Sequence, residues 1–285
     1  MAIKLMYITN DEHIAKIADY HGVDWIFIDL EINGKVERQG HLDTVISRHS
    51  INDVKKIKAI LKQSKLLVRV NPIYDGSKEE IDKVIQDGAD VVMLPYFKKK
   101  EEVILFLRHV NGRVKSCLLL ETPEAVDNLN SILSVDGIDY IHIGLNDLHL
   151  GYKMSFMFEL LADGTVEKLC NKIKEKGIPY GFGGIARLGQ GDLPAENIIA
   201  EHYRLGSSMV ILARSFYKSN KDDDSKAIEK VFNEELKKIR DYESNLKNMD
   251  QTFFEWNRNE VMNKTLAIKN NKVGLHEKVI NSRTH

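Results

Sequence analysis

The sequence predicts an α/β protein: a closed (β/α)8 barrel, the TIM barrel, with a C-terminal helical extension. Three observations carry that expectation. Short apolar runs rich in strand formers recur eight times and alternate with longer stretches of helical period, the mark of parallel βαβ construction. The 285 residues suffice for one barrel of about 250 residues plus an appendage. The turn after the first run, Thr9-Asn10-Asp11-Glu12, is acidic and lacks glycine, whereas an open doubly wound sheet would usually carry a glycine-rich phosphate turn there.

In order, the runs are residues 4–9 (KLMYIT), 25–31 (WIFIDLE), 66–72 (LLVRVNP), 91–97 (VVMLPYF), 116–122 (SCLLLET), 140–147 (YIHIGLND), 179–184 (PYGFGG) and 209–214 (MVILAR). Near-continuous apolar strands are expected when one face meets helices and the other a barrel interior. Between them, residues 51–63, 78–87 and 165–176 read as amphipathic helices, and Asp87-Gly88 and Lys176-Gly177 supply glycine where a left-handed cap would sit. Past Tyr217 the character changes: residues 218–224 are a polar break, and 225–247 are rich in Glu, Lys and Leu, as in a long charged helix. The expected division is a catalytic barrel over residues 1–218 and a charged helical extension over 219–285. Phe253, Phe254 and Trp256 in that extension would be costly in water, so it is expected to pack on its own barrel or on another subunit of a homo-oligomer.

Composition narrows the partners. With 43% apolar and 29% charged residues and a net charge of −1, the chain reads as a soluble globular protein without a nucleic-acid-binding face. Cys117 and Cys170 lack metal-type spacing and are expected to be reduced thiols of a cytoplasmic protein. The N-terminal stretch acquires acids directly after a very short apolar run, unlike a signal peptide. No segment approaches the roughly twenty apolar residues of a membrane span.

In a barrel of this kind the reacting groups stand at the C-terminal ends of the strands. Here the second run ends in Asp29 and Glu31, the third carries Arg69 and Asn71, the fifth ends in Glu121 and the sixth in Asn146-Asp147. Either Glu121 or Asp147 alone could cap a following helix. Together, on strands about 4.8 Å apart, they can share one hard cation, Mg2+ or Mn2+, with water and substrate completing its shell. Arg69 lies between Val68 and Val70 on a strand that must be buried. It therefore needs an anion: Asp29 or Glu31, which share a face by alternation, or a substrate carboxylate. No lysine stands in the inner part of the fourth to eighth runs, so a Schiff-base aldolase is not expected. The electron sink would then be the metal, acting as a Lewis acid on a 2-oxo acid.

These strand-end motifs resemble those of the HpcH/HpaI aldolase and citrate lyase β-subunit family, from about Met6 to Phe216. The carriers are WIFIDLE, VRVNP, the QDGAD and MLP pieces of residues 86–95, LLLETPEAVDN over 118–128 and IHIGLNDL over 141–148. The resemblance implies metal ligation by Glu121 and Asp147, substrate contact by Arg69, and carboxylate contacts from the backbone of Gly144, Leu145 and Asn146. It also implies a base: His49, in His49-Ser50-Ile51-Asn52-Asp53, working with Asp87. Residues 32–48 are inserted between Glu31 and that histidine, so Lys35, Arg38, Gln39 and His41 also become candidate substrate contacts. Leu119 stands where the aldolase branch has a glutamine beside the metal glutamate. The implied function is a metal-dependent carbon–carbon lyase of class II aldolase type, acting on a 2-oxo acid such as a 2-keto-3-deoxy sugar acid through a pyruvate enolate. Two alternatives are a citrate lyase-like enzyme acting on a malyl- or citramalyl-type acyl-CoA and a non-catalytic barrel scaffold. The glycines of residues 181–191 suit either a phosphate or CoA group after strand seven or a tight turn and lid.

Overall fold

The computed structural model describes residues 2–32, 49–217 and 224–282. Eight parallel strands close in sequence order: β1 (Lys4–Ile8), β2 (Trp25–Asp29), β3 (Lys65–Arg69), β4 (Val91–Leu94), β5 (Lys115–Leu120), β6 (Tyr140–Ile143), β7 (Tyr180–Ile185) and β8 (Met209–Leu212). Both strand faces are buried because alternation divides each run in two. Met6, Trp25, Phe27, Leu67, Met93, Cys117 and Leu119 fill the lumen. Leu5, Ile26, Ile28, Val68, Val92, Leu118, Leu120, Ile141 and Ile143 pack outward under the helices.

Aspartates that precede alternate strands fasten the start of the strand before. Asp24 accepts from the Leu5 amide, Asp90 from Leu66 and Asp139 from Ser116, at 2.8, 2.7 and 2.9 Å. Local sequence also sets the helix starts. Asp11 caps α1 (Glu12–Tyr20), and Ser50 with Asp53 forms a capping box at α2 (Ile51–Ile60). Next come α3 (Ser77–Gln86), α4 (Lys100–Val110), α5 (Pro123–Asp127), α6 (Leu129–Ile132), α7 (Leu145–Gly151), α8 (Glu159–Ala162), α9 (Thr165–Glu175) and α10 (Ala195–Leu205). Gly88 and Gly177, the expected caps after α3 and α9, have φ of +105° and +68°, where a Cβ would be strained.

Seven of the eight expected strands end early, and three of them show why. β2 stops at Asp29 because the Glu31 amide turns to the Asp29 carboxylate at 3.2 Å. β4 stops before Pro95, which has no N–H to give the ladder, and Tyr96 follows with φ +50°. β6 stops at Ile143: Gly144 N–H makes the last bond to Leu120 O at 2.9 Å, and the chain then turns into α7. Asn146 and Asp147 therefore stand in the first turn of a short helix rather than on a strand.

Beyond residue 223, α11 (Ser225–Leu246) and α12 (Gln251–Ser282) pack on the barrel's own helices, α11 on α1 and α10, and α12 on α8 and α10. Glu243 accepts from the Ile3 amide at 2.7 Å, and Phe232 meets the edge of Tyr7 at 5.1 Å. Phe253 and Phe254 pack against the core, whereas Trp256 remains exposed. Among the described residues no helix is long and apolar enough to cross a membrane.

Candidate active site

The lumen opens at the strand C-termini into a cavity of about 460 Å³. Its floor is the second inward layer of the strands, Ile8, Phe27, Leu119, His142 and Ile211; Arg69, Glu121, Gly144, Asp147 and Arg214 stand above it.

The β2–β3 register places Asp29 opposite Arg69. The guanidinium donates from Nε to Asp29 Oδ1 and from Nη2 to Oδ2, both at 2.8 Å, while Nη1 lies 3.4 Å from Glu31 Oε2. Both carboxylates are buried, and Arg69 also stacks over Phe27 at 5.6 Å. Burial alone would weaken the charge on Arg69; Asp29 and Glu31 outweigh it and push its pKa up. Of the two expected pairings of Arg69, the internal one is thus made, and the residue still lines the cavity.

Glu121 follows the last residue of β5 and is buried. Its Oε1 accepts from the Tyr96 amide at 3.0 Å, the amide of the residue with left-handed φ, a conformation that costs of order 1–3 kcal/mol in a non-glycine residue. A Cβ at Gly144 would come within 2.8 Å of the Glu121 Cβ and Oε2, so that glycine is needed for space, its own φ being an ordinary −83°. Burial drives the Glu121 carboxyl well above the usual carboxylate range; the Asp147 and Glu31 charges push the same way, and Arg69 and the Tyr96 amide oppose them. Glu121 and Asp147 also line a second cavity, of about 230 Å³, with Tyr96, Thr122 and Leu150.

The donors fit a hard cation. Two carboxylates supply oxygens only, the donors a hard cation prefers, and among the described residues no group of three or more His, Cys, Asp or Glu is placed to hold a metal ion by itself, so water and substrate would complete the shell. A divalent ion between Glu121 and Asp147 would offset the repulsion that makes the Glu121 charge costly.

His49 reaches the β2 terminus, where its Nδ1 accepts from the Asp29 amide at 3.0 Å. The neutral ring consequently carries its proton on Nε2, and service as a general base would break that bond. Within its own barrel Asp87 does not stand beside His49. It caps the C-terminus of α3, and in a βα unit that end of the helix returns to the strand starts; there Asp87 pairs with Lys83 at 2.6 Å. The Gly144 amide is likewise committed, to Leu120 O. Leu145 and Asn146 line the cavity. Lys35, Arg38, Gln39 and His41 lie outside the described residues.

Sequence reasoning missed Tyr96, His142 and Arg214. His142 had a legible signal, a polar residue at an inward position of an apolar run, and Arg214 closes the eighth run. The conformation of Tyr96 left no mark in the sequence.

Comparison with known proteins bears on this geometry. A family model described as HpcH/HpaI aldolase/citrate lyase matches residues 4–178. A 2-keto-3-deoxy-L-rhamnonate aldolase of Shigella dysenteriae serotype 1 is 26% identical over 220 residues, covering 65% of this chain and 75% of the relative. The protein of that name in Escherichia coli K12 is 27% identical over 186 residues, covering 53% of this chain and 62% of the relative. Among solved structures, an HpcH/HpaI aldolase/citrate lyase family protein from Burkholderia cenocepacia J2315 superposes with a TM-score of 0.59 at 14% identity, covering 74% of this chain and 88% of that one. An HpcH/HpaI aldolase from Desulfitobacterium hafniense DCB-2 gives 0.58 at 16% identity, covering 84% and 93%. The structural likenesses bear on fold.

Proposed function

The chain belongs to the HpcH/HpaI aldolase/citrate lyase family, and from that premise we propose that it is a class II type carbon–carbon lyase that cleaves a 2-keto-3-deoxy sugar acid to pyruvate and an aldehyde, or joins them. The observation that carries this reading is the shared cavity of Glu121, Asp147 and Arg69 above an apolar floor. Two curated relatives named 2-keto-3-deoxy-L-rhamnonate aldolase support the substrate class.

Aldolases of this family depend on a divalent metal. Glu121 and Asp147 would hold Mg2+ or Mn2+, which would supply Lewis-acid stabilisation of the substrate's 2-oxo group. Asp29 occupies two Arg69 donors and fixes the plane of the guanidinium, so its remaining N–H groups can take the substrate carboxylate in one orientation. Phe27, Leu119 and Ile211 exclude water beneath the reacting carbons. Cleavage breaks the bond between carbons 3 and 4: the electron pair passes to carbon 3 as the pyruvate enolate, the proton of the carbon-4 hydroxyl passes to solvent water as the aldehyde forms, and a proton returned from water to carbon 3 completes pyruvate. Held at the end of β2 by the Asp29 amide with its proton on Nε2, His49 would serve as a hydrogen-bond donor to the substrate.

Exchange of the pyruvate methyl protons into deuterated water, followed by NMR, tests the reading directly. Exchange should require Mg2+ or Mn2+ and should be lost in Glu121→Ala. Absence of exchange by a metal-loaded protein would overturn it and direct attention to acyl-CoA substrates of the malyl type.

A further inference from the structure

Among the described residues of the cavity floor, Ile8, Phe27, Leu119 and Ile211 are apolar, and His142 of β6 is the exception. Strand alternation turns it into the lumen: its neighbours Ile141 and Ile143 belong to the outer core, and its register partner on β5 is Leu119, a lumen residue. The ring is buried. Its Nε2 lies 3.1 Å from the carbonyl oxygen of Gly183 on β7. A carbonyl only accepts, so Nε2 carries the proton and donates it. Burial pushes the His142 pKa down to about 4, so the ring is neutral near pH 7 and its tautomer is set by that one bond.

The Gly183 carbonyl belongs to an irregularity in the sheet. From Gly181 to Gly184 β7 advances three residues while β8 advances two, from Met209 to Ile211, and the extra residue of such a bulge falls out of the ladder. Gly183 lies in that stretch with φ +54°. A carbonyl turned inward there needs a donor, and His142 supplies it. The same glycine also touches the next element. A Cβ on Gly183 would come within 2.8 Å of Leu145 Cδ1, so its bare backbone lies against the first residue of α7, and Asp147 stands in the same first turn. The contacts therefore run in series from His142 through Gly183 and Leu145 to the turn that carries Asp147.

We propose that His142 is a positioning residue for the metal site: its Nε2–H holds the β7 bulge in the form that seats Gly183 on Leu145, and α7 is thereby set with Asp147 on the same cavity as Glu121. The inference rests on the reading of Glu121 and Asp147 as metal ligands and adds to it a residue that touches neither ion nor substrate. Packing alone would be met by an apolar side chain, as Ile8, Phe27, Leu119 and Ile211 show. The proton on Nε2 is what histidine adds.

Mn2+ affinity of the full chain, measured by titration calorimetry, separates donor from packing. His142→Phe keeps the volume of the ring without the donor and should bind roughly ten-fold more weakly, the lower end of the range for lost support of a metal ligand. His142→Gln, which keeps an N–H near the Nε2 position, should recover most of the affinity. A Gln variant no better than the Phe variant, or a Phe variant that binds like the wild type, overturns the proposal and leaves the metal reading intact. The wild type supplies a second test that needs no substitution. Linkage is reciprocal, so a bond that favours the metal must be favoured by it. On Mg2+ loading, solvent exchange of the His142 Nε2–H, followed by NMR of 15N-histidine-labelled protein, should slow by a like factor beyond any change at the backbone amides of β3, across the barrel. Equal slowing at both places, or none at His142, also overturns the proposal. If the wild type binds neither ion, or Glu121→Ala binds as well as the wild type, the metal reading itself fails and the role of His142 falls with it.

Discussion

Arg69 shows how a buried charge is made tolerable one residue at a time. Its guanidinium meets Asp29 through two 2.8 Å hydrogen bonds while Glu31 stands 3.4 Å away, so neither side of the pair is desolvated alone. Removing one partner of such a pair typically costs about 3–5 kcal/mol, because the other charge stays buried. Asp29→Asn should therefore lower the urea midpoint by the equivalent of about 3 kcal/mol, with Glu31 retaining part of the attraction. A change below about 0.5 kcal/mol would place this pair with solvated surface bridges instead. The need for an anion beside Arg69 was legible because Val68 and Val70 flank it, and alternation placed Asp29 and Glu31 on one face. Whether the protein or the substrate supplied that anion depended on the β2–β3 register. The tautomer of His142 was also beyond the sequence, since it follows from the position of the Gly183 carbonyl on a neighbouring strand.

At the scale of elements, the junction of β6 with α7 decides where the second acid stands. Gly144 ends the strand by bonding Leu120 O, and Asp147 is delivered by the first turn of the helix that follows. The apolar run suggested that the strand continued to Asp147, because a buried strand and the start of a buried short helix have the same hydrophobicity. Gly144→Ala tests the junction. Its φ of −83° suits alanine, but the added methyl would meet Glu121 at 2.8 Å and Leu119 at 3.2 Å. We expect Mn2+ affinity, followed by titration calorimetry, to fall about 10–100-fold, the range for disturbed support of a metal ligand. The wild-type affinity in this variant would mean that Glu121 has room to move. Asp87 shows the same dependence on the element: the resemblance singled it out, and the antiparallel return of α3 carries it to the strand starts of its own barrel.

Across the whole molecule, the charge of the site is linked to stability. The pKa of Glu121 is raised in the folded chain, from 4.5 in the unfolded state, chiefly by burial. Its contribution to metal-free stability is thus present below pH 4.5 and is lost as pH rises through the folded value. Metal-free wild type should lose melting temperature relative to Glu121→Gln as pH rises above 4.5, and Mg2+ should raise the wild-type melting temperature more the higher the pH, because cation and proton compete for the same oxygens. A magnesium effect independent of pH would contradict that linkage. The amino-acid sequence by itself determined the barrel, its eight strands, the helical tail and the acids and arginine at the strand ends, because periodicity, burial and capping are local properties of the chain. Only the tertiary structure decided that the tail lies on its own barrel, that Arg69 is held by Asp29, that Asp87 stands at the far end and that the His142 ring bonds to the Gly183 carbonyl. Those outcomes depend on which atoms of distant segments meet when the sheet closes, and register and side-chain direction are set only at closure.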